Sequence, residues 1–299
     1  MSQFVSGFWD IYIALITVMS IVACAVFLKS QSSTKLPSSE TTGHAWDEDL
    51  AEYNNPLPGW WRWLFYITIV FALVYLVLYP GLGSWSGVLG WTQVGQLREE
   101  TLQAESQYGP IYEKFARVEI KDLAKNTAAL AIGQKLFLNN CAQCHASDGG
   151  GSRGFPSLTD RDWLWGGDPK EIRTSIAEGR NGVMPPWGQV LGEQGVKDVT
   201  HYVMSLSGTA ADSIRVAKGR EAYATYCVAC HGAEGKGNAA LGAPNLTDGI
   251  WLHGSGEALI SETIARGRSS QMPAHKELLA PAKIHVLTAY VYSLSAPPD

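Results

Sequence analysis

Two long apolar runs dominate the first eighty residues of the chain. One covers residues 8–28 and carries a single charge, on Asp10; the other, residues 61–79, is uncharged from Trp63 onward. At a rise of about 1.5 Å per residue, each run is long enough to cross the ~30 Å hydrocarbon core of a bilayer as a helix. A buried core helix is the alternative for either run. A cleaved signal peptide is a further alternative for the first, although the first ten residues of the chain contain no Lys or Arg. The pattern predicts a membrane anchor over residues 1–80.

The connector between the two spans, residues 29–60, is predicted to face the cytoplasm. Basic residues close to membrane spans favour the cytoplasmic side, and those nearest the spans lie on the connector side: Lys29, Lys35 and Arg62. The N-terminal stub has none, and the first basic residue after the second span is Arg98. The long C-terminal part then lies outside the cytoplasm. It begins with a polar, partly helical extracytoplasmic connector, residues 81–124, which Gly109-Pro110 is expected to interrupt.

Beyond this connector the chain repeats itself. The segment Gly133–Phe137 aligns with Gly219–Tyr223, and with one short insertion the alignment continues through the rest of both copies. Helical patterning recurs at equivalent places, over residues 129–139, 169–178 and 197–207, and again over residues 216–226, 258–266 and 283–295. The predicted fold class is therefore all-α: two transmembrane helices followed by two tandem domains, residues 125–208 and 209–299.

Each copy carries the pattern C-x-x-C-H, as Cys141-Ala-Gln-Cys144-His145 and as Cys227-Val-Ala-Cys230-His231. Two thiols three residues apart on a helical turn can add to the two vinyl groups of a haem, and the adjoining His then reaches the iron as an axial ligand. The rival interpretations are a thioredoxin-like redox pair, a structural zinc site and a disulfide. Zinc would usually need four clustered ligands, and a thioredoxin-like pair would lie in a βαβ pattern that is not evident here. The motifs predict two covalently bound haems c.

A six-coordinate haem iron needs a second axial ligand, and methionines stand at matched places in the two copies. Met184 follows His145 by 39 residues and Met272 follows His231 by 41 residues, and each is followed by Pro. We predict that these thioethers are the iron ligands. Ligation by His and Met raises the reduction potential of the haem relative to ligation by two His, which suits electron transfer toward a strong oxidant. His275 is the rival ligand to Met272 in the second copy.

Other matched residues suggest how each haem site is supported. The carbonyl groups of Pro156 and Pro244 can accept the second ring N–H of the ligand His, which fixes its tautomer. Arg180 and Arg268 can pair with haem propionates, or they are solvated surface residues. In addition, Gly133 or Gly219 could let a first helix cross a last one near Tyr202 or Tyr290.

Composition narrows the class of protein further. The chain is 46% hydrophobic and only 17% charged, below the ~25% charged residues of a typical soluble protein, which favours a membrane protein. The 11 Trp, 12 Tyr and 8 Phe exclude a mainly disordered chain. A net charge of -5 argues against a nucleic-acid partner.

Taken together, these features resemble a known family, the dihaem subunit of cbb3-type cytochrome c oxidase. The resemblance rests on the two spans, the acidic connector with its entry sequence Pro58-Gly-Trp-Trp-Arg-Trp63, and the tandem C-x-x-C-H copies with Met-Pro ligands. C-x-x-C-H alone is common to c-type cytochromes, so the spans and connector make the match specific. The resemblance implies that the two domains are class I cytochrome c domains.

The resemblance also implies a function and partners. Such a subunit lies in the bacterial inner membrane as a multi-pass protein with its haem domains in the periplasm. It relays electrons from a soluble cytochrome c donor to a haem-copper catalytic subunit, alongside a monohaem cytochrome subunit, during oxygen reduction coupled to proton pumping. It has no oxygen-reducing site of its own. A dihaem electron-carrier subunit of a membrane-bound dehydrogenase would share every haem motif. A peroxidase or a gas sensor would need an open or labile iron position, which the matched methionines disfavour.

Overall fold

The computed structural model describes residues 7–33, 41–53 and 55–295. The chain is mostly helical and forms two compact units, divided between Gln107 and Tyr108. Lys35, on which part of the predicted orientation depends, lies outside the described residues.

The first unit contains two long apolar helices. Helix α1 spans Gly7–Ser33 and helix α2 spans Gly59–Leu78. The first predicted span falls inside α1, and the second ends one residue beyond α2. Both are long and apolar enough to cross a membrane. In the most apolar 18-residue stretch of each helix, 6% of the residues of α1 and 0% of those of α2 are buried within the protein. Because their apolar side chains are not packed in a protein core, these helices fit an anchor surrounded by lipid rather than core helices.

The one acidic residue of the first span has a specific partner. Asp10 accepts a hydrogen bond from the Ser84 hydroxyl at 2.8 Å, and Ser84 lies in the loop that follows α2. A charged group in a membrane helix is costly unless it is paired or lies near the bilayer surface. The contact therefore joins the beginning of α1 to the end of α2.

The connector between the spans forms a β-hairpin rather than a helix. Strands β1, Thr41–Trp46, and β2, Leu50–Tyr53, pair in antiparallel fashion. A second two-stranded ribbon lies in the other unit. The all-α prediction is therefore wrong at these two places, because residues in short exposed ribbons carry little apolar periodicity from which a strand can be read.

The polar connector after the second span is a longer helix than expected. Helix α3 runs Gln93–Ala116 with Pro110 inside it, so the predicted interruption at Gly109-Pro110 is wrong. Proline removes one helical N–H donor, and on this exposed, polar helix water can satisfy the freed carbonyl. A short helix, α4, follows at Ile120–Leu123.

The second unit is built from equivalent elements of the two copies. From the first copy come α5 (Thr127–Asn140), α6 (Ala142–His145), α7 (Pro169–Glu178), β3 (Arg180–Met184) and α8 (Gly188–Leu206). From the second come α9 (Ser213–Tyr226), α10 (Val228–His231), α11 (Glu257–Arg266), β4 (Arg268–Met272) and α12 (Pro281–Ser295). The six predicted helices are all present. Only α8 begins well before its predicted start, with a kink at Gly192, where φ is 65°.

The two copies exchange their last helices. Helix α12 of the second copy packs on α5 and α7 of the first, and α8 of the first copy packs on α9 and α11 of the second. The predicted boundary at residues 208/209 therefore separates the sequence repeats but not the hydrophobic cores. The two copies carry the same order of elements, so the sequence pattern does not show which last helix packs on which first helix.

Two glycines permit the helix crossings. A Cβ on Gly133 would lie 2.5 Å from Tyr290 Cβ, and a Cβ on Gly219 would lie 2.0 Å from the Asp198 carbonyl oxygen and 2.9 Å from Tyr202 Cβ. The predicted close approach at these glycines is confirmed. Each glycine meets the last helix of the other copy.

A two-stranded antiparallel ribbon joins the exchanged halves. Strands β3 and β4 pair so that Arg180 lies opposite Met272 and Met184 lies opposite Arg268. The pairing is symmetric about Gly182 and Ser270, which lie opposite each other at its centre. The ribbon carries each predicted methionine ligand to a position beside an arginine of the other copy.

Candidate haem sites

The first C-x-x-C-H motif occupies a helical corner. Helix α5 ends at Asn140, Cys141 N–H donates to the Phe137 carbonyl at 2.8 Å, and His145 N–H donates to the Cys141 carbonyl at 3.0 Å. Both thiols are free, with Cys144 exposed and Cys141 half-buried. Two thioether bonds to a haem would need both thiols to be free, so the motif is compatible with them.

The second motif repeats this corner. Cys227 N–H donates to the Tyr223 carbonyl at 2.9 Å, and His231 N–H donates to the Cys227 carbonyl at 2.9 Å. Cys230 is exposed and Cys227 is half-buried, as in the first motif. The Tyr223 hydroxyl also donates to the Gly232 carbonyl at 2.9 Å and holds the end of the turn in place.

A proline carbonyl orients each candidate ligand histidine. His145 Nδ1 lies 2.9 Å from the Pro156 carbonyl oxygen, and His231 Nδ1 lies 3.1 Å from that of Pro244. A carbonyl only accepts, so the Nδ1–H donates and the Nε2 lone pair remains for a metal. The hydrogen bonds predicted from the two Gly-x-Pro segments are confirmed.

Burial keeps the candidate ligands uncharged. It lowers the pKa of His145 and His231, and the bonds to the two prolines offset only part of that effect. The pKa of Cys141 and that of Cys227 are raised to about 11, chiefly by burial and to a smaller extent by the other thiol of the motif. Neutral imidazole is the form that binds iron.

Each methionine lies in the core of the other copy's haem motif. Met272 packs against the cluster that includes Phe137 and Cys141, whereas Met184 packs against the cluster that includes Tyr223 and Cys227. The pairing that sequence order suggested, His145 with Met184 and His231 with Met272, disagrees with this packing. The exchange of the last helices is accompanied by an exchange of the methionines, so that each methionine lies beside the haem motif of the other copy.

His275, the rival ligand to Met272, also lies beside the first motif rather than the second. Its backbone N–H donates to the Ile176 carbonyl at 3.0 Å, and its charge lowers the pKa of His145. His275 is therefore a neighbour of the first motif, although it belongs to the second copy.

The two arginines next to the methionines are held by equivalent bonds. Arg180 Nε donates to the Ser175 hydroxyl at 2.8 Å, and Arg268 Nε donates to the Thr263 hydroxyl at 3.0 Å. Each arginine is thus bound to a helix of its own copy, whereas the methionine opposite it in the ribbon belongs to the other copy. Neither is a free surface side chain.

The donor sets fit a covalently bound haem better than the rival interpretations. Each set combines two thiols, an oriented imidazole and a thioether beside an apolar core. Within residues 7–33, 41–53 and 55–295, no group of three or more His, Cys, Asp or Glu side chains is arranged to hold a metal ion by itself. The four motif thiols are free rather than joined in disulfides.

An acidic group near the sites predicts a pH dependence of stability. Burial raises the pKa of Asp162 to about 6, with further contributions from Asp248 and Asp160. The folded protein therefore binds this proton more tightly than the unfolded chain, whose Asp pKa is about 3.9. The ionised Asp162 carboxyl thus destabilises the folded state, an effect that is absent below pH ~4 and is complete above pH ~6. We expect Asp162→Asn to raise the free energy of unfolding at pH 7 by about 1 kcal/mol, a discounted figure because the carboxyl is only partly buried. Denaturant unfolding at pH 4 and pH 7 checks this, and an equal effect of the substitution at both values would contradict it.

Sequence reasoning gave no role to three residues in the loops that follow the haem motifs, Arg153, Trp165 and His253. Trp165 reaches the loop of the second motif, where a Cβ on Gly242 would lie 2.3 Å from its ring. Gly154 N–H donates to the Leu252 carbonyl at 2.9 Å, which brings Arg153 beside His253. Trp165 and His253 occupy equivalent places in the two copies, and this departure from the repeat was the signal available in the sequence.

Comparison with known proteins places the chain in a family. The N-terminal domain of cytochrome oxidase-cbb3, FixP, matches residues 38–86. Cytochrome C oxidase, cbb3-type, subunit III matches residues 128–203 and again residues 215–291.

Full-length relatives agree with these matches. The cbb3-type cytochrome c oxidase subunit CcoP of Rubrivivax gelatinosus is 49% identical over 99% of this chain and 97% of its own length. The subunit FixP of Azorhizobium caulinodans is 43% identical over 85% of this chain and 92% of its own length. The chain belongs to the CcoP/FixP family of cbb3-type cytochrome c oxidase subunits.

Proposed function

We propose that the chain is a membrane-anchored dihaem cytochrome c that relays electrons from a soluble cytochrome to the haem-copper catalytic subunit of a cbb3-type oxidase. The observation that carries this proposal is the presence of two complete donor sets, each with two thiols, a proline-oriented histidine and a methionine. A haem in each set supplies one-electron transfer at its iron.

We assign the ligands from the packing. Cys141 and Cys144 would hold the first haem, and His145 and Met272 would be the ligands of its iron. Cys227 and Cys230 would hold the second haem, with His231 and Met184 as the iron ligands. The assignment is supported by the core that each methionine shares with a motif cysteine.

The residues around each site act by holding the ligands rather than by taking part in bond breaking. The prolines fix the imidazole tautomer, and the helical corner fixes the thiols. A rigid, apolar, six-ligand environment changes little between oxidation states, which suits electron transfer. Iron bound by both a histidine and a methionine would leave no open position for oxygen, so under this proposal the chain has no oxygen-reducing site of its own, and oxygen reduction coupled to proton pumping belongs to the complete complex.

The partners and location follow from the family and the anchor. We infer a multi-pass protein of the bacterial inner membrane, with its haem domains in the periplasm and with the catalytic and monohaem cytochrome subunits as neighbours. A dehydrogenase subunit would share the haem motifs, but the relatives named above are subunits of cbb3-type oxidases.

Haem content tests the proposal. Intact mass should show two haems added to the full chain, and haem staining should persist on a denaturing gel because the bonds are covalent. Cys141→Ser with Cys144→Ser should remove one haem, and Cys227→Ser with Cys230→Ser should remove the other. Cys24→Ser is the matched control and should leave both. A mass equal to that of the bare polypeptide would refute the proposal.

A further inference from the structure

A cluster of basic side chains distinguishes the second haem site from the first. Arg153 is brought beside His253 by the bond from Gly154 N–H to the Leu252 carbonyl. Burial lowers the pKa of His253, and the positive charges of Arg268 and Arg153 lower it further. The three side chains therefore lie close enough to affect one another electrostatically.

Arg268 has a buried donor that no group satisfies. Its Nε donates to the Thr263 hydroxyl, but its Nη2 is buried without a hydrogen-bond partner. A Glu262 carboxylate oxygen lies 3.8 Å from Nη2, too far for a hydrogen bond. Leaving a buried guanidinium donor unpaired is costly, so the position is suited to a further acceptor, and the surrounding charge favours an anionic one.

The equivalent arginine of the first copy is already satisfied. Arg180 donates through Nε to Ser175 and through Nη2 to the Glu171 carbonyl at 3.2 Å, and its guanidinium lies 4.9 Å from the centre of the Trp165 ring. In the second copy, His253 takes the place of that Trp. Of the two equivalent arginines, Arg268 at the second site therefore has a buried donor without a hydrogen-bond partner, and Arg180 at the first does not.

The cluster is placed beside the second haem by the ribbon. Arg268 pairs in register with Met184, and Ile264, next to its partner Thr263, lies in the core that contains Met184 and Cys227. A haem carries two carboxylates, its propionates, and a haem attached at the second motif would supply them as acceptors beside Arg268. Guanidinium and carboxylate match in geometry as well as charge.

We propose that Arg268, with His253 and Arg153, binds a propionate of the haem attached at Cys227 and Cys230. This inference rests on the proposed function, since it requires that haem to be present. Oxidation of the iron adds a positive charge. Removing Arg268 would leave the propionate uncompensated and favour the oxidised iron, so the potential of the second haem should fall.

A redox titration of the full dihaem chain tests the proposal. Intact mass first confirms two haems in every variant, so a failure of the proposed function is seen separately. Met272→His is introduced to lower the reduction potential of the first haem. The transition at the higher potential in the titration then belongs to the second haem. In this background Arg268→Gln should lower the potential of the second haem and shift its propionate bending modes in resonance Raman spectra. Arg268→Lys should restore part of the shift.

Exchanging a residue that differs between the copies provides a further test. His253→Trp, which gives the second site the residue of the first, should lower the second potential. An unchanged second potential in Arg268→Gln, or a change confined to the first haem, would overturn the proposal. It would also be overturned if Glu262→Gln abolished the effect of Arg268→Gln, because the partner would then be that carboxylate.

Discussion

Met184→Ala should remove the sulfur-to-iron absorption band of the haem held by Cys227 and Cys230, and Met272→Ala should leave that band intact. The reason is that Met184 packs in the core of the second motif even though it belongs to the first copy. The measurement is made on the full-length chain with Cys141→Ala and Cys144→Ala, so that only the second haem absorbs.

The complementary chain provides the control. With only the first haem present, Met272→Ala should abolish the band and Met184→Ala should not. His275→Ala should leave it intact if Met272 is the ligand. Loss of the band in the opposite pairing would show that the methionines serve the histidines of their own copies.

Leu287→Ala should destabilise the first haem site although the leucine lies in the second copy. Its side chain is fully buried in the cluster that contains Phe137 and Met272. Truncating a buried Leu to Ala costs about 2–5 kcal/mol. Denaturant unfolding followed through the first haem's absorption should therefore shift to markedly lower denaturant.

The equivalent residue of the first copy is the matched variant. Val199 is buried in the other cluster, and Val199→Ala should shift the unfolding seen at the second haem, by a smaller amount because fewer carbons are removed. The crossed effect is the informative result. If Leu287→Ala acted first on the second haem, the exchange of last helices would be wrong.

The haem motifs and most helices could be predicted from the sequence because their signals are local. Cys141 and His145 lie on one turn, and the bond from His145 to Pro156 spans only a short loop. The membrane spans are likewise long uniform runs. Each of these features is decided by residues that are neighbours in the chain.

The exchange of helices could not be predicted because it is a choice between nearly equivalent partners. The sequence left the helix that crosses at Gly133 open between those of Tyr202 and Tyr290, and the structure places Tyr290 there. The β3–β4 ribbon was missed for a related reason. Its pairing joins residues of different copies, so no alternating pattern within one strand reveals it.

The claim that the chain is a closed electron carrier is tested most directly by carbon monoxide. Carbon monoxide binds ferrous haem only where an axial position is open or easily vacated. We expect the reduced, isolated chain to show almost no spectral change under carbon monoxide, whereas the complete oxidase shows a large one from its catalytic subunit. A strong carbon monoxide spectrum from the isolated chain would mean that an iron is open and would contradict the account.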